Sequence, residues 1–191
     1  MELLYLFLNL KTKKIMNEII KKNGITFGII LGLFSLLFTT AIYAIDLKLF
    51  TSWWFGLVGF IFTIVIGFVV VSKTKKQLNG NITFKECFTV YFLAAVIGTL
   101  LSKLFEYVLF NFIDPQAKET IKEIAIKAVS EMMEKLGAPA SAVNEAMQKA
   151  AETDNYSIGN IIFGIAIVLV FHAIFGLILA AIFKSKSNEG L

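Results

Sequence analysis

Residues Ile158–Phe183 read IGNIIFGIAIVLVFHAIFGLILAAIF, a stretch with one histidine and no Asp, Glu, Lys or Arg. Three further apolar stretches precede it, at Gly24–Ile45, Trp53–Val71 and Cys87–Ile113, and of these only the third contains formal charges. A helix of about 20 apolar residues matches the ~30 Å hydrocarbon thickness of a bilayer, whereas a helix on a soluble core shows a polar stripe. The sequence therefore predicts an all-α, polytopic membrane protein with four transmembrane helices.

The composition agrees with lipid as the solvent for much of this 191-residue chain, which is 57% hydrophobic. All 18 basic residues are lysine, so the planar fork with which arginine contacts phosphate and guanine is absent. We therefore expect no nucleic-acid partner, and we attribute the net charge of +4 to lysines that flank the spans. The lone cysteine, Cys87, excludes an intrachain disulfide.

The predicted domain organisation is simple. Residues 1–15 form a doubtful N-terminal extension, and residues 16–191 form a single four-helix membrane domain. Met1–Leu10 is apolar but too short to span a bilayer, and its lysines follow it, unlike those of a signal peptide. We therefore consider Met16 as the start of the protein, with Met1 as the alternative.

Lysines are concentrated at one end of the predicted spans. They are Lys11, Lys13, Lys14, Lys21 and Lys22 before the first span, Lys73, Lys75, Lys76 and Lys85 in the loop after the second, and Lys184 and Lys186 in the tail. The other side has Lys48 and the segment Asp114–Tyr156, in which five lysines meet eight acidic residues. Because lysine-rich flanks stay on the cytoplasmic side, we expect both termini in the cytoplasm.

The segment between the third and fourth spans predicts an amphipathic helical hairpin at about residues 114–156. Asp114 provides an N-cap and Pro115 a first helical position, apolar residues then recur at helical spacing, and Gly137 ends the helix. A second helix is expected at about Ser141–Glu152. We expect this extracytoplasmic hairpin to form a cap, and a contact with lipid or a partner protein is the alternative.

Three polar side chains are costly inside a bilayer and form the candidate intramembrane polar site, namely Lys103, Glu106 and His172. Lys103 and Glu106 share one helix face, where they either pair and snorkel towards the surface or bind a substrate, ion or lipid headgroup. His172 either makes an interhelical hydrogen bond or relays protons. The sequence has no cluster typical of a metal, cofactor or catalytic site, so we expect no cofactor and no catalytic residue.

Small residues repeat at four-residue steps in three spans, which predicts close helix packing within one chain or between copies of it. They are Gly24, Gly28 and Gly32 in the first span, Ala94 and Gly98 in the third, and Gly176 and Ala180 in the fourth. Gly56, Gly59 and Gly67 in the second span lack this step, so we expect that span to contribute less to packing.

Three short motifs lie at the ends of the spans. They are Lys22-Asn23-Gly24 before the first, the stretch NGNITF from Asn79 to Phe84 before the third, where Thr83 can cap the following helix, and Ile113-Asp114-Pro115 after it. In this order they resemble the bacterial family called domain of unknown function 4199 (DUF4199), small four-span membrane proteins, over about Met16–Phe183. The resemblance implies a bacterial inner-membrane location and brings no catalytic residues with it.

These features favour a non-enzymatic integral membrane protein with a structural or accessory role. Its partners would be the lipid bilayer and either further copies of itself or another membrane protein. A small transporter or channel subunit that works as a homo-oligomer is the main alternative, because four spans rarely enclose a wide polar cavity. A lipid-modifying membrane enzyme comes third, since it needs acid, base or metal ligands together at one depth.

Overall fold

The computed structural model describes residues 2–185, with side chains from Met16 onward except that of Trp53. Met1, Lys186 and the side chains of residues 2–15, on which the extension and part of the lysine count depend, lie outside that description. Within the described residues every regular element is helical, so the all-α prediction is confirmed. The helices are α1 (Glu2–Ile45), α2 (Trp53–Gln77), α3 (Phe84–Val108), α4 (Pro115–Lys135), α5 (Ala140–Glu152) and α6 (Ile158–Phe183).

Four stretches of this helical chain are long and apolar enough to cross a membrane. They are Met16–Ile45, Trp54–Gln77, Phe84–Ile113 and Ile158–Phe183. Much of their apolar surface is exposed in the isolated chain, as at Leu37 (72%) and Phe171 (65%). Lipid is the solvent that such a surface requires, so the fold fits a multi-pass membrane protein.

Helix α2 continues to Gln77, past its predicted end at Val71. Lys73, Lys75 and Lys76 therefore lie on a helix, which corrects their assignment to a loop. Lysine is a good helix former, and positive charge is favourable in the last turn of a helix, so the change from apolar to charged residues does not stop the helix. The end comes at Asn79 and Gly80, which adopt positive φ angles of 53° and 82°.

The predicted caps are confirmed at two helix starts. Thr83 and Glu86 form a capping box at α3, in which the Thr83 N–H donates to the Glu86 carboxylate at 2.9 Å and the Glu86 N–H donates to the Thr83 hydroxyl at 3.3 Å. The Asp114 carboxylate accepts from the Ala117 N–H at 2.9 Å, and Pro115 opens α4. These side chains satisfy backbone donors that would otherwise lack partners at the helix ends.

Two short elements were not predicted. A 3₁₀ helix, Leu47–Thr51, follows α1, and a π-helix, Leu109–Ile113, follows α3. The π-helix closes with a hydrogen bond from the Asp114 N–H to the Leu109 carbonyl at 2.8 Å. This wider turn buries Phe110 completely. A sequence window treats the whole of Phe84–Ile113 as one regular helix because π-turns leave little compositional signal.

The chain forms two compact units whose boundaries fall inside α1, α2, α3 and α6. Unit 1 comprises Met1–Leu33, Ile61–Leu101 and Ile167–Leu191, and unit 2 comprises Phe34–Phe60 and Ser102–Ala166. The core of unit 1 includes Val70, Val71, Cys87, Val90, Tyr91, Ala94, Leu179 and Ala180. The core of unit 2 is Leu109, Phe110, Ala117 and Ile121, with α4 contacting both α5 and the two short helices.

Candidate functional site

Unit 1 contains a polar pair between two membrane-spanning helices. The Tyr91 hydroxyl on α3 and Nδ1 of His172 on α6 lie 2.9 Å apart in a hydrogen bond whose donor is set by the histidine tautomer. Tyr91 is only 1% exposed. In a bilayer, a hydroxyl in this position must find its partner inside the protein, because hydrocarbon offers none. The imidazole of His172 is this partner, and its hydrogen bond links α3 to α6.

Two glycines on different helices make room for the ring of Tyr91. A Cβ atom at Gly67 of α2 would lie 2.9 Å from the ring, and one at Gly176 of α6 would also lie 2.9 Å from it. Both distances are below ordinary van der Waals contact. Phe175 also packs against Tyr91, with ring centroids 5.5 Å apart. The tyrosine is thus tightly enclosed by α2 and α6, and Gly67 takes a larger part in packing than its spacing predicted.

The glycine steps of the first span face α3 within the same unit. A Cβ atom at Gly24 would lie 2.7 Å from Leu93, one at Gly28 2.7 Å from Ile97, and one at Gly32 2.5 Å from Leu101. The contact is reciprocal, because a Cβ at Gly98 would lie 2.7 Å from Leu31. Ala94 and Ala180 are buried as well. Because glycine has no side chain, the backbones of α1 and α3 can approach each other closely at these positions.

A second buried polar group of unit 1 lies where α1 meets the end of α2. The side-chain amide of Asn23 donates to the Thr74 hydroxyl at 2.8 Å and to the Gln77 side-chain oxygen at 2.6 Å. Asn23 is 4% exposed and Thr74 is fully buried. The Thr74 hydroxyl in turn donates to the Val70 carbonyl at 2.7 Å. This chain of bonds fixes α1 against α2.

The charged pair of the third span belongs to unit 2. Lys103 Nζ lies 2.7 Å from the Glu106 carboxylate, and the Ser102 hydroxyl donates to the same carboxylate at 3.4 Å. The Lys103 side chain is 30% exposed and the Glu106 side chain 16%. The two charges neutralise each other on one helix face. This pairing lowers the free-energy cost of placing charged side chains within the hydrocarbon of a bilayer.

Unit 2 also has hydrogen bonds at the start of α4 and in the segment that precedes α6. The Tyr43 hydroxyl donates to the Asp114 carboxylate at 2.7 Å. This bond, together with the bond from the Ala117 N–H, holds the pKa of Asp114 below its ordinary value. Lys118 Nζ lies 3.1 Å from the Asp154 carboxylate and donates to the Asn111 side-chain oxygen at 3.3 Å.

The pKa values of the neighbouring groups follow from these contacts. Burial raises the pKa of Asp154, but the hydrogen bonds from Lys118 and from the Tyr156 N–H, with the nearby positive charge, outweigh it and leave this pKa below its ordinary value. Burial, with smaller contributions from the charges of Glu106 and Asp154, raises the pKa of Tyr156. Both carboxylates at this end of unit 2 therefore stay ionised at neutral pH.

A family model described as protein of unknown function (DUF4199) matches residues 26–185. The chain belongs to this family. The resemblance drawn from the span-end motifs is thereby confirmed. Neither the curated proteins nor the solved structures contain a match to the sequence.

In this DUF4199 chain, the three residues of the predicted polar site occupy two different settings. Lys103 and Glu106 pair with each other in unit 2, whereas His172 bonds to Tyr91 in unit 1. Among the residues that the structure describes, no three His, Cys, Asp or Glu side chains come together in a group that could hold a metal ion. The geometry thus provides for packing and for local charge neutralisation.

Sequence reasoning missed the partners that complete the DUF4199 polar groups. Tyr91, Thr74 and Gln77 were not singled out, and Asn23 was noted only as part of a span-end motif. The available signal was polarity inside an apolar stretch, since Tyr91 lies in Cys87–Ile113 and its hydroxyl needs a partner there. The identity of that partner could not be read from the sequence, because 81 residues separate Tyr91 from His172.

Proposed function

We propose that this DUF4199 protein is a non-enzymatic structural or accessory component of the bacterial inner membrane. Four spans would cross the bilayer with both termini in the cytoplasm. Helices α4 and α5 would form an amphipathic hairpin on the opposite side. Its partners would be the lipid bilayer and either copies of the same chain or another membrane protein.

The observation that carries the proposal is the tight enclosure of Tyr91 with its bond to His172. A pathway for ions or solutes through unit 1 would require water at this depth. The Tyr91 ring instead packs so closely on Gly67 of α2 and Gly176 of α6 that a Cβ atom at either position would lie 2.9 Å from the ring. A packed interior with its polar groups paired is typical of a bundle that holds its shape, so it supports a structural role.

The charged residues support the same assignment. Lys103 and Glu106 neutralise each other at 2.7 Å, which we interpret as structural pairing. The orientation is inferred from the lysines in the first half of α1 and at the end of α2, and from the acidic excess of the segment Asp114–Tyr156.

A small transporter or channel subunit is the second candidate, and one observation favours it. The Lys103 side chain remains 30% exposed and that of Glu106 16% exposed, at a position inside the span Phe84–Ile113. A charge pair exposed at this depth would be covered if a second copy packed against it, and a pathway between copies would then run along the pair.

The two candidates are separated by neutralising the pair. The protein is reconstituted in liposomes, and fluxes of protons, potassium and chloride are measured for the wild type and for Lys103→Gln/Glu106→Gln. The structural role predicts no flux above empty liposomes for either protein. In cells, the double variant would correct any growth defect of a deletion strain as well as the wild type does.

A matched control removes the same two charges elsewhere. Lys127→Gln/Glu131→Gln neutralises two exposed residues of α4. A flux that K103Q/E106Q abolishes and K127Q/E131Q preserves would establish the transport candidate and refute the structural proposal.

A further inference from the structure

The outer face of α2 has an open pocket of ≈ 390 Å³ near the end of the span. Its lining residues follow one helix face in order, and they are Phe68, Val69, Ser72, Lys73 and Lys76. The first two are apolar and are 40% and 43% exposed. The last three are polar or basic. The pocket is therefore apolar towards the centre of the span and positively charged towards its end.

The lysines near the end of α2 have different settings. Lys75 turns inward, and its ammonium donates to the Phe183 carbonyl at 2.8 Å. Lys73 and Lys76 line the pocket and are exposed. The ammonium of Lys73 lies 5.2 Å from the centroid of the Phe27 ring on α1, a cation–π distance. The aromatic ring holds one of the two positive charges in place beside the other.

We propose that this pocket binds one anionic phospholipid. The lipid phosphate would lie between Lys73 and Lys76, with the Ser72 hydroxyl as a further donor, and an acyl chain would lie along Phe68 and Val69. Two observations select a lipid as the occupant. The charges of the pocket complement a phosphate, and the apolar part continues directly into the span Trp54–Gln77, where a soluble anion gains nothing.

The site goes beyond the structural role proposed above and depends only on the insertion of α2 in a bilayer. Lysines near a membrane surface attract anionic lipid in general, at ~1 kcal/mol each. A defined site differs from that general attraction because its two lysines must count more than other lysines at the same membrane surface. Lys85 on α3 provides this comparison, because it is exposed and does not line the pocket.

The test uses the full-length protein, purified in detergent and stripped of lipid. Binding of phosphatidylglycerol and of phosphatidylcholine from mixed micelles is measured by native mass spectrometry. We expect tighter binding of phosphatidylglycerol, weakened about fivefold by Lys76→Gln and about 30-fold by Lys73→Gln/Lys76→Gln. Lys76→Gln leaves the contact with Phe27 intact, so its effect is informative even if the double variant folds poorly.

Lys85→Gln is the matched control and should leave phosphatidylglycerol binding unchanged. An equal loss of phosphatidylglycerol binding in K85Q and K76Q would mean that any lysine at this membrane surface contributes alike, and it would overturn the proposal. Equal binding of phosphatidylcholine and phosphatidylglycerol would overturn it as well. Glycerol 3-phosphate is added as a soluble competitor, and displacement of the lipid by an equal concentration of this compound would show that a free phosphate ester is the occupant.

Discussion

The Tyr91 hydroxyl and Nδ1 of His172 are hydrogen-bonded at 2.9 Å and join α3 to α6 within unit 1. The only histidine of the chain thus has a partner on another helix. Hydrogen bonds between membrane helices average ~0.6 kcal/mol in double-mutant cycles, with ~1.7 kcal/mol as the upper end. The bond is therefore specific in geometry and modest in energy.

A double-mutant cycle tests this pair. Tyr91→Phe and His172→Phe each remove one partner, and the free energy of unfolding is measured in detergent for both single variants and for the double variant. We expect a coupling energy of about 0.6 kcal/mol, because the second substitution has no bond left to remove. Strictly additive effects would show that the two side chains do not interact.

Substitution of the two glycines around Tyr91 should destabilise the protein. A methyl group at Gly67 or Gly176 would lie 2.9 Å from the ring, and overpacking of this kind costs about 1–3 kcal/mol. Gly56→Ala is the matched control on α2, since a Cβ there meets nothing within 4 Å. Thermal unfolding should show a clear loss of stability for G67A and G176A and no loss of stability for G56A. Because alanine is a better helix former than glycine, a comparable loss of stability in all three variants would show that contact with the Tyr91 ring is not the cause.

The buried amide of Asn23 makes a further prediction. Asn23→Leu leaves the buried Thr74 hydroxyl without this donor and should cost about 1–3 kcal/mol of unfolding free energy. Thr74→Val removes the other partner. Because replacement of both polar partners by apolar groups can be nearly neutral, N23L/T74V should cost less than the sum of the two single variants. If N23L/T74V lost as much unfolding free energy as the two single variants together, or more, the bond as described would be contradicted.

Acid should destabilise unit 2 through Asp114. Its pKa is lower in the folded state than in the unfolded chain, so its contribution to stability is present above the ordinary aspartate pKa of about 3.9 and is lost as the pH falls through the folded pKa. Tyr43→Phe removes the main hydrogen bond that lowers this pKa. The free energy of unfolding, measured between neutral pH and about pH 3, should therefore fall less steeply in Y43F than in the wild type. An identical decline in both proteins would exclude this linkage.

Local signals in the sequence identified the helix junctions well. The Asp114-Pro115 pair and Thr83 have cap chemistry that depends only on near neighbours, and both caps are present in the structure. The end of α2 was placed too early because Lys73, Lys75 and Lys76 were interpreted as loop residues. Charge marks where a helix leaves hydrocarbon, and it does not mark where the helix ends.

The contacts of the candidate site were beyond sequence reasoning for a physical reason. Gly67 looked unimportant because it shares no four-residue step with Gly56 or Gly59, yet its role is set by the ring of Tyr91 on another helix. The bond from Asn23 to Thr74 spans 51 residues. Such pairings depend on how the helices rotate against one another, and hydropathy carries no information on that rotation. The family could be predicted from short motifs, two of which, Asn79–Phe84 and Ile113–Pro115, lie at helix ends within the matched residues 26–185.

In the topology proposed above, the chain crosses a bilayer four times, with the turn between α2 and α3 on one side and α5 on the other. The most direct measurement is labelling of single cysteines in intact cells, in a Cys87→Ala background, with a thiol reagent that does not cross membranes. We predict that Ser141→Cys in α5 is labelled from outside the inner membrane and that Asn81→Cys in the α2–α3 turn is labelled only after lysis. Labelling of both positions from the same side would contradict the account.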